Sequence, residues 1–260
     1  MPANKAQANP AQRLHGKVAV ITGGGGGIGY AIARAFASEG CNLVITGRNE
    51  KKLFAASKEL VALATNDPIK VVAEVCDVRE PYSVDALFDM VQTRFGRIDI
   101  LINNAGISQR PTAIEQTSVE MWREMIDINL NGMFLCTRAA LPLMSAGGTI
   151  INNLSAAAKQ VFPQFGAYTA SKTGAYGFTL SLREEMMARG IRVTALMTGA
   201  TSTDMWQTIL PDVSRDGMMD VDTVAQAVLY TVLLPPEANV SELLITPTAG
   251  AISADANPKS

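Results

Sequence analysis

The chain has 260 residues, with 22 lysines and arginines against 24 aspartates and glutamates. This length alone allows either one large domain, as in some α/β folds, or two small ones. The near-neutral charge balance leaves no basic surface for a nucleic acid partner. The only histidine, His15, precedes the first apolar run, which excludes Ser-His-Asp hydrolysis, Cys-His proteolysis and multi-histidine zinc sites, so we predict no metal.

Residues 1–16 predict a flexible N-terminal tail, because they are polar, contain two prolines and lack the apolar region of a signal peptide. No apolar run approaches the ~20 residues that a bilayer requires. Three scattered cysteines favour a reducing compartment over a disulfide framework. We therefore expect a cytoplasmic protein with no membrane partner, whose single domain spans residues 17–260.

From Lys17 onward, short β-branched runs alternate with longer helical patterns. This alternation predicts βαβ units and an α/β fold, with a doubly wound parallel sheet of seven strands between helices on both faces, in three layers. The predicted strands are Val18–Thr22, Asn42–Thr46, Lys70–Val75, Ile98–Ile102, Thr149–Asn153, Ile191–Leu196 and Glu242–Thr246.

Several helix ends are readable in the sequence. Pro81 opens one helix that Gly96 closes, and Asp222 is predicted to cap another that ends before Pro235. The stretch from Met197 to Asp220 differs, with scattered methionines and turn residues, and it predicts a lid over a site.

A glycine-rich turn, TGGGGGIG at residues 22–29, follows the first strand and leads into a helix. Without Cβ atoms, a pyrophosphate can approach the N–H groups of a helix N-terminus, so the strand-turn-helix context favours a dinucleotide site in a Rossmann-like fold over a merely flexible turn. The run fits two fingerprints: Gly24, Gly26 and Gly29, or Thr22, Gly23, Gly27 and Gly29.

The turn after the second strand reads Thr46-Gly47-Arg48. An acid there would bind the adenosine ribose 2′-OH, whereas an arginine would accept a 2′-phosphate. No acid occupies the turn, and Glu50 falls on the next helix. The turn therefore favours NADP(H), with NAD(H) still possible and a solvated Arg48 as the alternative interpretation.

Tyr168 and Lys172 are four residues apart at the start of a predicted helix, so the phenol and the ammonium share one face. Lowering the pKa of a phenol from about 10 to about 7 requires roughly 4 kcal/mol, which matches the Coulomb attraction of a cation ~4 Å away at an effective dielectric constant of about 20. We expect the lysine to make the tyrosine an acid near neutrality. Taken alone, the pair also fits an exposed ion-pair pattern.

Further motifs accompany the glycine turn and the tyrosine-lysine pair. NNAG at 103–106 follows the fourth strand, Asn129 lies in DINLNG, and Ser155 ends the fifth strand. In this order and spacing, from about Lys17 to about Thr248, the chain resembles the short-chain dehydrogenases/reductases in their compact single-domain branch. The resemblance implies a single dinucleotide-binding and catalytic domain at residues 17–260.

The resemblance implies roles for four catalytic residues. Tyr168 resembles the general acid for carbonyl reduction and the base for alcohol oxidation. Lys172 resembles the residue that lowers the tyrosine pKa and binds the nicotinamide ribose, and Ser155 resembles the hydroxyl that steadies the substrate oxygen. Asn129 resembles the residue that holds a water between Lys172 and solvent in a proton relay. Singly, Ser155 also fits an ordinary strand-end hydroxyl and Asn129 an ordinary helix residue.

The resemblance also implies a cofactor-binding set, in which Asp77 and Val78 flank the adenine. Where the family has Pro-Gly after the sixth strand, this chain has Thr198-Gly199, so Thr201 replaces an apolar contact. The implied cofactor-binding residues are Gly23, Gly27, Ile28, Gly29, Arg48, Asp77, Val78, Asn104, Ala105, Gly106, Tyr168, Lys172, Gly199, Thr201 and Thr203.

The predicted activity is reversible hydride transfer between NADP(H) and a carbonyl or secondary alcohol, without a metal. Mostly apolar segments around the site predict an apolar ketone or a 3-oxoacyl-type substrate, although packing of the lid is the alternative interpretation of these side chains. The predicted substrate-binding residues are Ser155, Phe162, Phe165 and Trp206. The other candidate wall residues are Gln109, Val161, Met205 and Ile209.

Two other functions stay open: an NAD-dependent alcohol dehydrogenase of the same family, and a non-catalytic NADP-sensing regulatory protein. The intact set of Asn129, Ser155, Tyr168 and Lys172 argues against the second, because a non-catalytic relative need not retain it. The resemblance further implies a homodimer or homotetramer formed through the helices that carry Asn129 and Tyr168, which the apolar content of residues 133–144 allows.

Overall fold

A computed structural model describes residues 12–63 and 68–248 of the chain. The strands are β1 (Val18–Thr22), β2 (Asn42–Gly47), β3 (Val71–Val75), β4 (Ile98–Asn103), β5 (Met144–Asn153), β6 (Arg192–Thr198) and β7 (Glu242–Ile245). The helices are α1 (Gly27–Ser38), α2 (Glu50–Ala62), α3 (Pro81–Phe95), α4 (Val119–Ile126), α5 (Gly132–Ala140), α6 (Gly166–Met187), α7 (Met205–Ile209) and α8 (Val221–Leu233).

All seven strands pair in parallel, in the order β3-β2-β1-β4-β5-β6-β7. Because the chain moves outward from β1 in one direction and then returns to place β4 on its other side, the loops after β1 and β4 diverge. Ligands of open α/β sheets bind in the crevice that such divergence leaves at the carboxyl edge. The predicted doubly wound, Rossmann-like sheet is confirmed.

Alternate side chains along a strand point to opposite faces of the sheet, so they pack into two separate hydrophobic cores. In β1, Ala19 and Ile21 join the core beneath α1, α2 and α8, whereas Val20 joins the core beneath α3, α5 and α6. Both faces of β1 are buried, which explains its uninterrupted apolar sequence. Burying one such side chain contributes about 1.5–3 kcal/mol, and the two cores give the predicted three layers.

The helix ends follow local chemistry, with one correction. Pro81 begins α3, and Gly96 ends it at a φ of 71°, in the left-handed region that favours glycine. The prediction that Asp222 caps α8 is wrong, because the helix starts at Val221 and already includes Asp222. Asp220 is the cap, and its carboxylate accepts the Asp222 N–H at 2.8 Å, while Asp222 pairs with Arg34.

Two predicted boundaries also change. Residues 12–16 of the predicted tail pack on the domain, since Leu14 is 4% exposed and its N–H donates to the Glu39 carbonyl at 2.9 Å. Residues 1–11 lie outside the described part. The second change concerns the predicted lid, which starts at Gly199 because β6 continues through Thr198.

Within the described ranges, none of the helices combines the length and apolarity needed to cross a membrane.

Candidate active site

A cleft of about 980 Å³ lies at the carboxyl edge of the sheet. The loops after β1, β2, β4, β5 and β6 all contribute to its lining, and so does the start of α6. The cleft therefore brings together the glycine turn, Arg48 and Ser155 with the pair Tyr168 and Lys172, from segments that are far apart in the sequence.

The backbone of the glycine turn distinguishes the two fingerprints. Gly23 and Gly27 have φ values of 66° and 53°, which side chains rarely adopt. A Cβ atom on Gly29 would lie 2.4 Å from the Gly23 carbonyl oxygen and 2.4 Å from Asn104 Nδ2. At Gly26 the backbone is extended and the space is open. Gly24 is crowded as well, since a Cβ atom there would lie 2.8 Å from the Ile45 side chain. The geometry therefore favours glycine at every glycine position of the fingerprint with Gly23, Gly27 and Gly29, whereas the other fingerprint includes Gly26, where a side chain would fit.

Asn104 ties the glycine turn to the loop after β4. Its Nδ2 donates to the carbonyls of Thr22 and Gly23, at 3.0 and 3.3 Å. The Thr22 hydroxyl accepts the N–H groups of Asn104 and Ala105, both at 2.9 Å. These bonds close the crevice floor between β1 and β4 and hold two predicted cofactor-binding segments together.

The end of the cleft beside β2 is cationic. Arg48 and Lys52 both line it, and Asn49 between them caps α2 by accepting the Lys52 N–H at 3.0 Å. Of the described residues that line the cleft, Asp204 is the only acid, and its carboxylate lies 3.5 Å from Lys52 Nζ. This end can therefore hold an anionic group.

Tyr168 and Lys172 lie on the same face of α6, as predicted. Lys172 Nζ is 5.8 Å from the centroid of the tyrosine ring. Only 4% of Lys172 is exposed, and its ammonium donates to the Asn153 carbonyl at 3.2 Å. The ammonium is thus held beside the phenol by the end of β5.

The predicted pKa of the tyrosine needs correction. Burial raises the pKa of the Tyr168 phenol, and the neighbouring Ser155 hydroxyl opposes this effect by hydrogen bonding. Burial also lowers the pKa of Lys172 to about 8. The prediction that the lysine alone brings the phenol near neutrality is wrong, because it omitted the cost of placing a phenolate in a poorly hydrated site.

Ser155 and Asn129 flank this pair. The Ser155 hydroxyl accepts the Ala157 N–H at 3.1 Å, at the start of a short 3₁₀ turn. Asn129 lies in a π-helical turn between α4 and α5, and its amide bonds both backbone groups of Ile107 and the hydroxyl of Ser171. Its side chain ties the loop after β4 to α6, and its role in holding a water stays a prediction.

Asp77 and Val78 lie outside the cleft lining. The Asp77 carboxylate forms an ion pair with Arg79, at 2.6 Å between the closest atoms. Val78 is buried and packs so closely on Gly132 that a Cβ atom there would lie 2.6 Å from its side chain. Their contact with an adenine ring stays a prediction.

Two of the candidate wall residues are corrected. Gln109 is buried, and its amide accepts the Tyr168 N–H and donates to the Gln164 carbonyl, both at 3.2 Å, so it supports the cleft from behind. Val161 is 85% exposed and lies outside the lining. The candidates that do line the cleft are Phe162, Phe165, Met205, Trp206 and Ile209.

The segment after β6 folds back over the cleft. Gly199 donates its N–H to the Ile245 carbonyl at 2.8 Å, which fixes the start of the segment to β7. Thr203 lies against the glycine turn, since a Cβ atom on Gly27 would be 3.5 Å from it. The Trp206 indole donates to the Thr201 carbonyl at 2.9 Å. The predicted cofactor contacts Gly199, Thr201 and Thr203 all line the cleft.

The sequence analysis missed Lys52 and Asn153. Lys52 is four residues after Arg48, a spacing that indicates proximity. Asn153 is two residues before Ser155, and strand alternation would have placed both on one face. The Asn153 amide donates to Asn104 Oδ1 at 2.8 Å, so Asn153 joins the lysine to the glycine turn.

Comparison with known proteins identifies the family. The sequence model described as short chain dehydrogenase matches residues 17–214. The chain belongs to this family. An uncharacterised oxidoreductase of Staphylococcus aureus (strain MRSA252) is 35% identical over 236 residues, or 90% of this chain and 98% of the relative. Sulfoacetaldehyde reductase 2 of Chromohalobacter salexigens is 33% identical over 248 residues, or 91% and 96%.

Solved structures of the family have the same architecture. An alcohol dehydrogenase from the archaeon Thermococcus sibiricus, complexed with 5-hydroxy-NADP, superimposes with a TM-score of 0.82 at 28% identity, covering 91% of this chain and 99% of the other. A metagenomic short-chain oxidoreductase in complex with NADP gives 0.79 at 32% identity, with the same coverage. This chain is therefore an oxidoreductase of the short-chain dehydrogenase family, and a nicotinamide cofactor fits that assignment.

Proposed function

We propose that this protein reversibly reduces a carbonyl to a secondary alcohol with NADP(H), and that Tyr168 exchanges the proton. One observation carries the proposal: a single cleft is lined by a glycine turn with positive φ at Gly23 and Gly27, by Arg48, and by Ser155, Tyr168 and Lys172. A nicotinamide ring supplies or accepts the hydride when bound. The protein must then bind both reactants and move one proton.

The residues of the cleft fit a dinucleotide with a 2′-phosphate. The positive φ angles of Gly23 and Gly27 and the crowding at Gly29 are features of a turn that admits a pyrophosphate. The two cations Arg48 and Lys52 suit a phosphate better than a neutral ribose. The 5-hydroxy-NADP and the NADP in the complexes of two similar structures support the same choice.

Proton exchange is assigned to the phenol of Tyr168. In reduction the phenol protonates the developing alkoxide, and in oxidation the phenolate removes the alcohol proton. The Ser155 hydroxyl stabilises the same oxygen. Because burial raises the phenol pKa, Tyr168 is protonated near neutrality and is ready to act as an acid. The Lys172 ammonium stabilises the phenolate that each reduction leaves behind.

The substrate end of the cleft suits a neutral carbonyl compound, in particular an apolar ketone or a 3-oxoacyl-type compound. Phe162, Phe165, Trp206 and Ile209 supply an apolar lining. Residues 160–165 and 205–213 contain no lysine or arginine. Although one relative is named a sulfoacetaldehyde reductase, these segments offer no cation for a sulfonate. We therefore favour an uncharged substrate.

Replacement of Tyr168 by Phe tests the assignment of the proton donor. We expect NADPH oxidation, followed at the nicotinamide absorption band with a panel of ketones and 3-oxo esters, to fall by about 10²–10⁴-fold. Tyr176→Phe is the matched control, since Tyr176 lies on the same helix but bonds Glu242 outside the cleft. Full activity in the Tyr168 variant would show that another group supplies the proton.

Replacement of Arg48 by Ala separates NADP(H) from NAD(H). We expect NADPH to bind about tenfold or more weakly, as for loss of a charge-assisted hydrogen bond, while NADH binding changes little. Arg94→Ala, on the exposed end of α3, is the control for a general change in charge. An equal change for both cofactors would instead favour the NAD-dependent alcohol dehydrogenase.

We also propose a cytoplasmic homodimer or homotetramer assembled through α4, α5 and α6. Trp122 and Phe134 are 43% and 45% exposed there, and Phe134 meets Phe178 edge to face at 6.2 Å. Exposed aromatic side chains on neighbouring helices suit burial by a second copy. Light scattering of a Phe134→Glu variant tests this, with a smaller assembly as the expected result.

A further inference from the structure

The loop before α6 contains a strained residue at the cleft. Gln164 has a φ of 66°, and among the described residues it is the only one besides glycines with a positive φ. Glycine adopts this conformation freely, whereas a residue with a Cβ atom does so at a cost in free energy. Strain of this kind accumulates where the surrounding structure imposes it and where a side chain is needed.

The surrounding structure does impose it. The Gln164 carbonyl accepts the Thr112 N–H at 2.8 Å and the Gln109 amide at 3.2 Å. The same Gln109 side chain accepts the Tyr168 N–H. The backbone of Gln164 is therefore fixed relative to the first turn of α6, which carries the proposed proton donor.

Gln164 is exposed and is one of the residues that line the cleft. Within residues 12–63 and 68–248, only its backbone takes part in the hydrogen bonds of the protein. The strained backbone thus presents a carboxamide, which both donates and accepts hydrogen bonds. Its neighbours Phe162 and Phe165 offer apolar surface.

We propose that Gln164 is a specificity-determining residue that binds a second, uncharged polar group of the substrate. This inference rests on the proposed function and narrows its substrate class to carbonyl compounds with another hydrogen-bonding group, such as an ester carbonyl or a hydroxyl. Ser155 and Tyr168 bind the reacting carbonyl of the substrate, and the Gln164 carboxamide forms a hydrogen bond with the second polar group. The apolar remainder packs on the phenylalanines.

The test compares Gln164→Gly with the unchanged protein on two substrates of equal chain length, a 3-oxo ester and the corresponding simple ketone. Glycine relieves the strain and removes the carboxamide. We expect kcat/KM for the 3-oxo ester to fall about five- to tenfold, as for loss of one hydrogen bond, and that for the ketone to change less than about twofold. For each substrate, the ratio of kcat/KM in the variant to kcat/KM in the unchanged protein is independent of the intrinsic reactivity of that substrate.

Two further variants and a melting curve complete the design. Gln164→Leu keeps the strain and removes the carboxamide, so we expect the same loss of selectivity with a lower Tm than Gln164→Gly. Val161→Ala is the matched control in the same loop, because Val161 lies outside the cleft lining. The Tm of Gln164→Gly should equal or exceed that of the unchanged protein, since glycine tolerates the positive φ.

The outcomes are distinct. A selective loss for the 3-oxo ester in both variants, with the Gly variant as stable as the parent, supports the proposal. An equal loss for both substrates would assign Gln164 to loop geometry alone and overturn it, as would unchanged kinetics. If the unchanged protein binds NADPH but reduces neither compound, the result contradicts the proposed function itself, and the inference about Gln164 fails because it rests on that function.

Discussion

The buried Lys172 makes stability depend on pH in a direction opposite to that of a paired surface lysine. Its pKa in the folded protein is about 8, against a usual value of 10.5, because burial disfavours the charged form. Between these values the unfolded chain binds a proton that the folded protein does not. Unfolding therefore becomes less favourable as pH rises through this window, and the folded state gains stability.

The size of the effect follows from the two values. One pKa unit corresponds to about 1.4 kcal/mol. The change from 10.5 to about 8 therefore corresponds to about 3 kcal/mol, which is absent well below pH 8 and fully gained near pH 10.5. A Lys172→Met variant fills a similar volume without a titrating group, so its stability lacks this component.

The assay is urea unfolding, followed by the fluorescence of Trp122 and Trp206, at several pH values from 7 to 10.5. We expect the stability of the parent relative to Lys172→Met to rise by about 3 kcal/mol across this range. Lys58→Met removes an exposed lysine of α2 and should show no comparable rise. A flat or falling difference for Lys172 would refute the argument that burial lowers its pKa.

Two other substitutions test the support of the cleft. Gly29→Ala places a methyl group 2.4 Å from the Gly23 carbonyl, so we expect a loss of about 1–3 kcal/mol in urea unfolding and weakened NADPH binding, whereas Gly26→Ala, in open space, should stay within about 0.5 kcal/mol. Gln109→Leu removes the bonds to Tyr168 and Gln164, and we expect a loss of about 1–3 kcal/mol and a lower kcat, measured by unfolding and steady-state kinetics. Wild-type stability in either Gly29→Ala or Gln109→Leu would contradict these contacts.

The sequence by itself determined the sheet, and it predicted several of the residues that the cleft brings together. Apolar runs separated by helical patterns are local signals, and the seven predicted strands agree with the observed ones to within a few residues at most ends. β5 is the exception, since it begins at Met144 rather than at Thr149. The shared face of Tyr168 and Lys172 was also predictable, because helical spacing fixes it.

Only the tertiary structure decided which glycines of the turn are crowded, because part of the crowding comes from distant residues: Ile45 at Gly24, and Asn104, 75 positions further along the chain, at Gly29. The tertiary structure also sets the direction in which the pKa values of Tyr168 and Lys172 shift, because both shifts come mainly from burial by residues that are distant in the sequence. Gln109, predicted to line the cleft, is instead buried behind it and bonded to Gln164 and Tyr168, contacts that span more than 50 positions of the sequence. Local patterns fix the elements, whereas solvent exclusion and long-range contacts fix the chemistry.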